Sequence, residues 1–398
     1  MALAAGCRRA PSGPIELAVA GRAGAHVTLA ADGDRVAAVW AATGGDGTDI
    51  YLAVSDDAGR TFAAPVRVND VAADATVGGE QPPRVVLNGN AVDVVWVSKR
   101  AGVRGIRAAA STNAGKSFTP ARWISSGDLT GMRGWESAAP GADGVVHAVW
   151  LDGRAASSTP EPAVKAKPAA PGGAHRHGAV RQDIYHAMWK GDGAPIETAV
   201  ASNVCFCCKT AVVTRGADVF VAWRHLFPGG VRDIAIARSS DGGRTFPEPT
   251  RVSEDNWKID ACPDDGPSMT VDGEGVLRLA WPTLLEEGGA QRIAIFASTS
   301  RDGGATFSPR TRVDGASGGA AHPRIATTRA GRSAIVWDEL AEGTRRVVFR
   351  LTDGGTPAVL STGRIAIYPA IAAAGDGFVV AWTDQSDKES TIRALRVQ

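Results

Sequence analysis

Helical periodicity is missing from this chain beyond a few residues at a time, which argues against any helix-built fold. No run of about 18 apolar residues occurs, so no helix here spans a bilayer. The formal net charge is only +1, and so near-neutral a balance gives no electrostatic footing for nucleic acid or an anionic membrane. No dinucleotide fingerprint, P-loop or nucleophile elbow stands in a fitting context. Tyrosine is scarce at three residues and cysteine at five. What the chain has in quantity is 48 glycines and 22 prolines over 398 residues, enough length to bury a large core between many turns.

Internal repetition organises it. One apolar phrase ending in tryptophan returns seven times: VAAVW at Trp40, VDVVW at Trp96, VHAVW at Trp150, VFVAW at Trp223, LRLAW at Trp281, SAIVW at Trp337 and FVVAW at Trp382. Each phrase is nearly continuous in apolar character and follows a turn, the pattern of a strand buried on both faces. A further strand follows most of them, as in DIYLAVS, GIRAAAS, DIYHAMW and DIAIARS.

A second signal rides on that strand. SDDAGRTF at Ser55–Phe62 recurs as SSDGGRTF at Ser239–Phe246 and SRDGGATF at Ser300–Phe307, with a weaker copy, STNAGKSF, at Ser111–Phe118. The residue types suit a turn: a carboxylate or amide accepts backbone N–H bonds, glycine takes a positive φ, and the ring packs beneath. The pattern resembles the Asp-box of sialidases and other BNR-repeat propellers, in register with the tryptophan repeat over almost the whole chain. That resemblance implies an all-β propeller of four-stranded antiparallel blades. Seven tryptophan phrases predict seven blades, with Ile15–Ala20 (IELAVA) closing the ring as the outer strand of the last; six blades with an irregular end is the alternative. The Asp-boxes are structural and name no substrate.

Residues 15–398 are thus read as one propeller and 1–14 as an exported N-terminus. LAAGC at Leu3–Cys7 is similar to a bacterial lipobox, which would make the protein extracytoplasmic, at the cell surface or in the periplasm, and lipid-anchored at Cys7. Only six residues precede Cys7, so either the natural start lies upstream or Cys7 is an incidental thiol. The segment 155–181, rich in Pro, Ala, Lys and Gly, reads as a disordered loop insert. The sharper reading is a lid or a metal-delivering arm through His175 and His177.

Propeller ligands gather where the junctions between blades converge on the channel mouth. Those junctions carry Arg84; Arg133, Trp135 and Glu136; Cys205, Cys207 and Cys208; Trp257, Asp260, Cys262, Asp264 and Asp265; His322 and Arg324; and Tyr368. Cys205, Cys207 and Cys208 are three of five cysteines within four residues, and three chemistries compete for them. Disulfides are one, with Cys205–Cys208 and Cys207–Cys262 as feasible pairs. A thiolate site for copper or zinc is the second, with Cys205, Cys207, Cys208 and Cys262 as ligands and His225, His322 or Met269 as further candidates. In an extended segment Cys205 and Cys207 would share one face and Cys208 the other. A redox dithiol is the third.

The family resemblance also implies a possible exo-sialidase, with a small glycan as ligand. Its carboxylate clamp would fall on Arg84, Arg133 and Arg324, its nucleophile on Tyr368 assisted by Glu136, and its acid–base on Asp152. The phrases nearest to the family's F/Y-R-I-P motif are PPRVV at Arg84 and HPRIA at Arg324. The residues together predict an exported propeller holding a metal, copper first, or another ligand at the cysteine-rich rim. The alternatives are the glycosidase and a disulfide-stapled interaction propeller.

Overall fold

The computed structural model describes residues 13–398 apart from 101, 127–130, 158–181, 203, 259–264, 288, 316–318 and 388. Its strands form seven four-stranded antiparallel blades. Blade 1 shows the unit: Ala23–Asp32, Arg35–Gly44, Gly47–Ser55 and the short Val66–Arg67, hydrogen-bonded in sequence order. The first strands of successive blades touch one another around the ring, and that of blade 7 touches that of blade 1, so these strands line the channel. Blade 7 takes Ile365–Ala374, Gly377–Gln385 and Ser390–Val397 from the C-terminus and Ile15–Leu17 from the N-terminus. The register Glu16↔Arg393 fixes that closure, as the sequence predicts.

Each repeated tryptophan sits on the second strand of its blade and is at most 1 % exposed. Packed between neighbouring sheets, these rings form the core of every blade joint; truncating one to alanine would cost about 3–5 kcal/mol. The indole N–H groups differ in partner. Trp150 donates to Asp152, Trp281 to Asp255 and Trp337 to Glu339, at 2.7–3.0 Å.

The Asp-box turns form as their residue types require. In blade 4 the Ser239 hydroxyl donates to Asp241 and accepts from the Gly243 N–H, while Asp241 accepts from the N–H and hydroxyl of Thr245. The same bonds recur in blades 1 and 5. In blade 2 Asn113 takes the aspartate's place, accepting from the Ser117 N–H and donating to its hydroxyl.

Four of the channel-lining strands share a distortion. Those of blades 1, 3, 6 and 7 carry a β-bulge at one depth. Its first residue has positive φ although none is glycine: His26 (60°), Trp135 (55°), His322 (56°) and Tyr368 (52°). A bulge re-aims side chains, and non-glycine residues at positive φ concentrate where function constrains the backbone. This ring of four marks the mouth of the channel.

Candidate functional site on the channel rim

At that depth the junctions place charged groups from five blades together, almost all of them buried. Lys209, entering blade 4, is fully buried, with its ammonium 3.2 Å from Glu80 of blade 2 and in contact with Asp265 of blade 5. Asp265 also accepts from the His322 N–H at 2.8 Å. The His322 ring bonds Asp338 at 2.6 Å, and Asp338 accepts from the Tyr368 N–H at 3.0 Å. The Tyr368 ring lies 4.2 Å from that of His322, meets His26 edge-on, and covers Gly79, where a Cβ could not fit.

Burial shapes the acidities. It pushes Glu80 upward, with Lys209 opposing and Asp265 reinforcing. It also pushes Asp265 up, but Lys209 and His322 outweigh it and hold that carboxyl below its usual range. Burial alone would lower His322; the Asp338 partner raises it instead. Glu136 is raised as well. It is fully buried, and burial lifts it to about 7 against the pull of Arg84 and Arg104 and of the backbone N–H groups of Glu136 and Val97. Arg84 donates to the backbone oxygen of Glu136 at 2.7 Å, and burial plus the nearby Arg324 bring it down to about 10.

The residues carried over from the glycosidase pattern therefore divide. Arg84, Arg324, Glu136 and Tyr368 belong to this inner rim. Arg133 and Asp152 are committed to one another: both are fully buried, and the Arg133 Nε lies 2.9 Å from the Asp152 carboxylate. Burial would raise Asp152, but bonds from Arg154 and Trp150 outweigh it and keep the carboxyl below its ordinary value, the opposite of what a general acid needs.

The cysteines lie beside the rim. The 204–209 segment curls through a turn at Phe206 and Cys207 rather than running extended. The expected division, with Cys205 and Cys207 on one face and Cys208 on the other, therefore does not arise. All three sulfurs face inward within 4.8 Å of one another, and all three residues are at most 3 % exposed. The turn is pinned at both ends: Val204 pairs with His225, and the Cys205 N–H donates to the Arg224 carbonyl at 3.1 Å.

Cys205 and Cys208 are free thiols with sulfurs 3.5 Å apart, so the feasible disulfide between them is not formed. Cys207 is disulfide-bonded. Cys262 and Cys7 lie outside the described residues, as do Asp260, Asp264, His175 and His177. The hydrogen bond from Cys208 lowers the Cys205 thiol, with burial opposing and Arg232 and Arg224 assisting; burial raises Cys208. Arg232 approaches the Cys205 sulfur at 4.0 Å. Arg224 stacks 4.3 Å from the Trp257 ring and donates to the backbone oxygens of Pro282 and Asp265.

Among the described residues no histidine nitrogen or carboxylate oxygen joins the three sulfurs at that mutual spacing. His225 instead accepts from the Trp223 indole at 3.2 Å, His322 is held by Asp338, and Met269 sits in the core between blades 4 and 5. The junction reading passed over Glu80, Lys209, Asp338 and His26. The phrases containing them were visible, and Lys209 adjoins Cys208, but only closure of the ring brings these groups together.

No family model matches the chain, and no curated protein matches it. Solved structures with a similar fold include the K499G mutant of NanB sialidase from Streptococcus pneumoniae (TM-score 0.49, 12% identity, 97% of this chain and 71% of that one). Others are a leech intramolecular trans-sialidase (0.46, 12%, 96% and 69%) and a Pyrococcus horikoshii acylaminoacyl peptidase (0.48, 11%, 95% and 52%).

Proposed function

We propose that the protein binds a thiophilic metal ion, copper first, at the Cys205–Cys208 centre. The carrying observation is the convergence of sulfurs: two buried free thiols 3.5 Å apart, with the third sulfur within 4.8 Å. With metal–sulfur bonds of about 2.3 Å, two thiolates on one tetrahedral metal stand about 3.8 Å apart, so the pair fits with a small rotamer adjustment. The all-sulfur composition favours copper(I) over zinc, whose structural sites take four nitrogen and sulfur ligands. A copper(I) ion held by two thiolates carries a net negative charge, which Arg232 and Arg224 offset. Zinc remains the second candidate metal. Anaerobic titration against a chromophoric copper(I) chelator tests the reading. One tightly held copper(I) per chain is expected, and it is lost in the Cys205→Ser/Cys208→Ser double variant. Retention of the ion by that variant would defeat the assignment.

Glycoside hydrolysis is the second reading. A specific observation favours it: Glu136, at about 7, has the acidity of a neutral-pH general acid beside Arg84. On this reading Arg84 and Arg324 hold the carboxylate of a sialoside and Tyr368 attacks. Turnover of a fluorogenic sialoside, abolished in Tyr368→Phe and Glu136→Gln, would support it; no turnover by the wild type removes it. The export and lipid anchor expected at Cys7 belong to the same proposal, and fractionation of the native host with a Cys7→Ser control tests them.

A further inference from the structure

An Asp-box turn does more than join two strands of its own blade. It seats against the preceding blade: Gly59 on Val379, Gly115 on Leu52, Gly243 on His186, and Gly304 on Ile236. Blades 3 and 6 carry degenerate turns instead, KGDGAP at 190–195 and LTDGGTP at 351–357. At both places the joint with the preceding blade is open. A cleft of about 220 Å³ lies between blades 2 and 3, with Asp192 of the degenerate turn on its wall. One of about 570 Å³ lies between blades 5 and 6, with Asp353 of that turn on its wall. Loss of the turn motif thus coincides with a cavity.

The two clefts differ in charge. In the smaller, Arg122 is held by the carbonyls of Gly191, Asp192 and Gly193, and faces the carboxylates of Asp93 and Asp192. The larger is lined by five arginines: Arg278, Arg301, Arg312, Arg332 and Arg350. Arg278 pairs with Asp272 at 2.8 Å and Arg312 with Asp314 at 3.3 Å. Arg332 and Arg350 donate to the backbone carbonyls of Asp376 and Val313, which leaves their charge uncompensated. Among the described residues Arg301, Arg332 and Arg350 have no carboxylate ion pair. Five guanidiniums thus face three carboxylates, counting Asp353, in a protein whose net charge is only +1. Ile325, Ile335 and Leu351 give the cleft an apolar floor, and Ser308, Thr311 and Thr352 add hydroxyls. A guanidinium's rigid fork matches the oxygens of sulfate and phosphate, and the volume suits a small organic ligand.

We propose that this cleft binds a sugar-sized ligand bearing two or more sulfate or phosphate groups. It is separate from the cysteine centre and stands whether or not that centre holds a metal. The test is calorimetric titration of the full chain at low ionic strength with sucrose octasulfate and with inositol hexakisphosphate. Sucrose is the neutral control, and the two polyanions distinguish a sulfated from a phosphorylated source. Saturable binding of at least one polyanion is expected, weakening as salt is added, with none for sucrose. The exposed pair Arg301→Ala/Arg332→Ala should weaken it by about tenfold or more. The charge-matched pair Arg60→Ala/Arg244→Ala, exposed on other Asp-box turns, should leave it unchanged. Failure of both polyanions to bind, or equal loss in both double variants, overturns the proposal. Hydrogen exchange on the wild type decides the matter if the first variant does not fold: protection should concentrate in 297–313 and 331–353, and protection confined elsewhere refutes the site.

Discussion

The ammonium of Lys209, on the strand junction entering blade 4, lies 3.2 Å from a carboxylate oxygen of Glu80, on the junction entering blade 2. The two blades are not neighbours, so the pair spans the channel. Asp265 of blade 5 shares the same ammonium. A single buried cation therefore ties three blades together in a low-dielectric interior.

Removing that cation is expected to be severe. Lys209→Met leaves Asp265 buried without its ammonium partner, at a cost of about 3–5 kcal/mol. Glu80→Gln keeps an oxygen acceptor beside the ammonium, and burial already disfavours the charged form of this carboxyl, so it is expected to cost less than Lys209→Met. Urea denaturation of both variants measures the difference. Equal destabilisation by the two would contradict the division of charge described above.

Glu136 sets a pH dependence of stability. Its acidity is raised from 4.5 to about 7 on folding, so the folded state binds a proton that the unfolded state releases. Stability from this group is present below pH 4.5 and is lost as pH rises through 7, by about 3 kcal/mol in all. His147 and His186 act in the opposite sense. Both are buried, bonded ring to ring at 2.9 Å, and lowered to about 4 and about 3 by burial. Their contribution is present above 6.5 and is lost as pH falls. Subtracting the Glu136→Gln curve from the wild-type curve isolates the first effect. The difference should grow from pH 4.5 to 7 in favour of the variant; a flat difference refutes the assignment.

An Asp-box serine should matter more than its small size suggests. The Ser239 hydroxyl accepts from Gly243 and donates to Asp241 while only 1 % exposed. Ser239→Ala orphans a buried N–H and should cost about 1–3 kcal/mol, read by thermal denaturation. No loss of stability would show that the turn does not depend on this bond.

Much of the architecture was legible because it repeats. Trp40 through Trp382 announced seven buried strands, the Asp-box copies placed the turns, and Ile15–Ala20 had the pattern of a closing strand. The rim was less legible. Positive φ is signalled in sequence by glycine or asparagine, whereas here His26, Trp135, His322 and Tyr368 adopt it, under constraint from bulges that only the paired strands define. The alternation rule misread Cys205–Cys208 because it presumes an extended backbone, and this segment turns. The ion pair of Arg133 and Asp152 could not be read at all, since side-chain partners across a sheet depend on register.

The sulfur centre is tested most directly by copper K-edge X-ray absorption on protein loaded anaerobically with one equivalent of copper(I). The expected spectrum shows a first shell of sulfur alone, and Cys205→Ser/Cys208→Ser abolishes it. A first shell of nitrogen or oxygen, or the same sulfur shell in that double variant, would place the metal elsewhere.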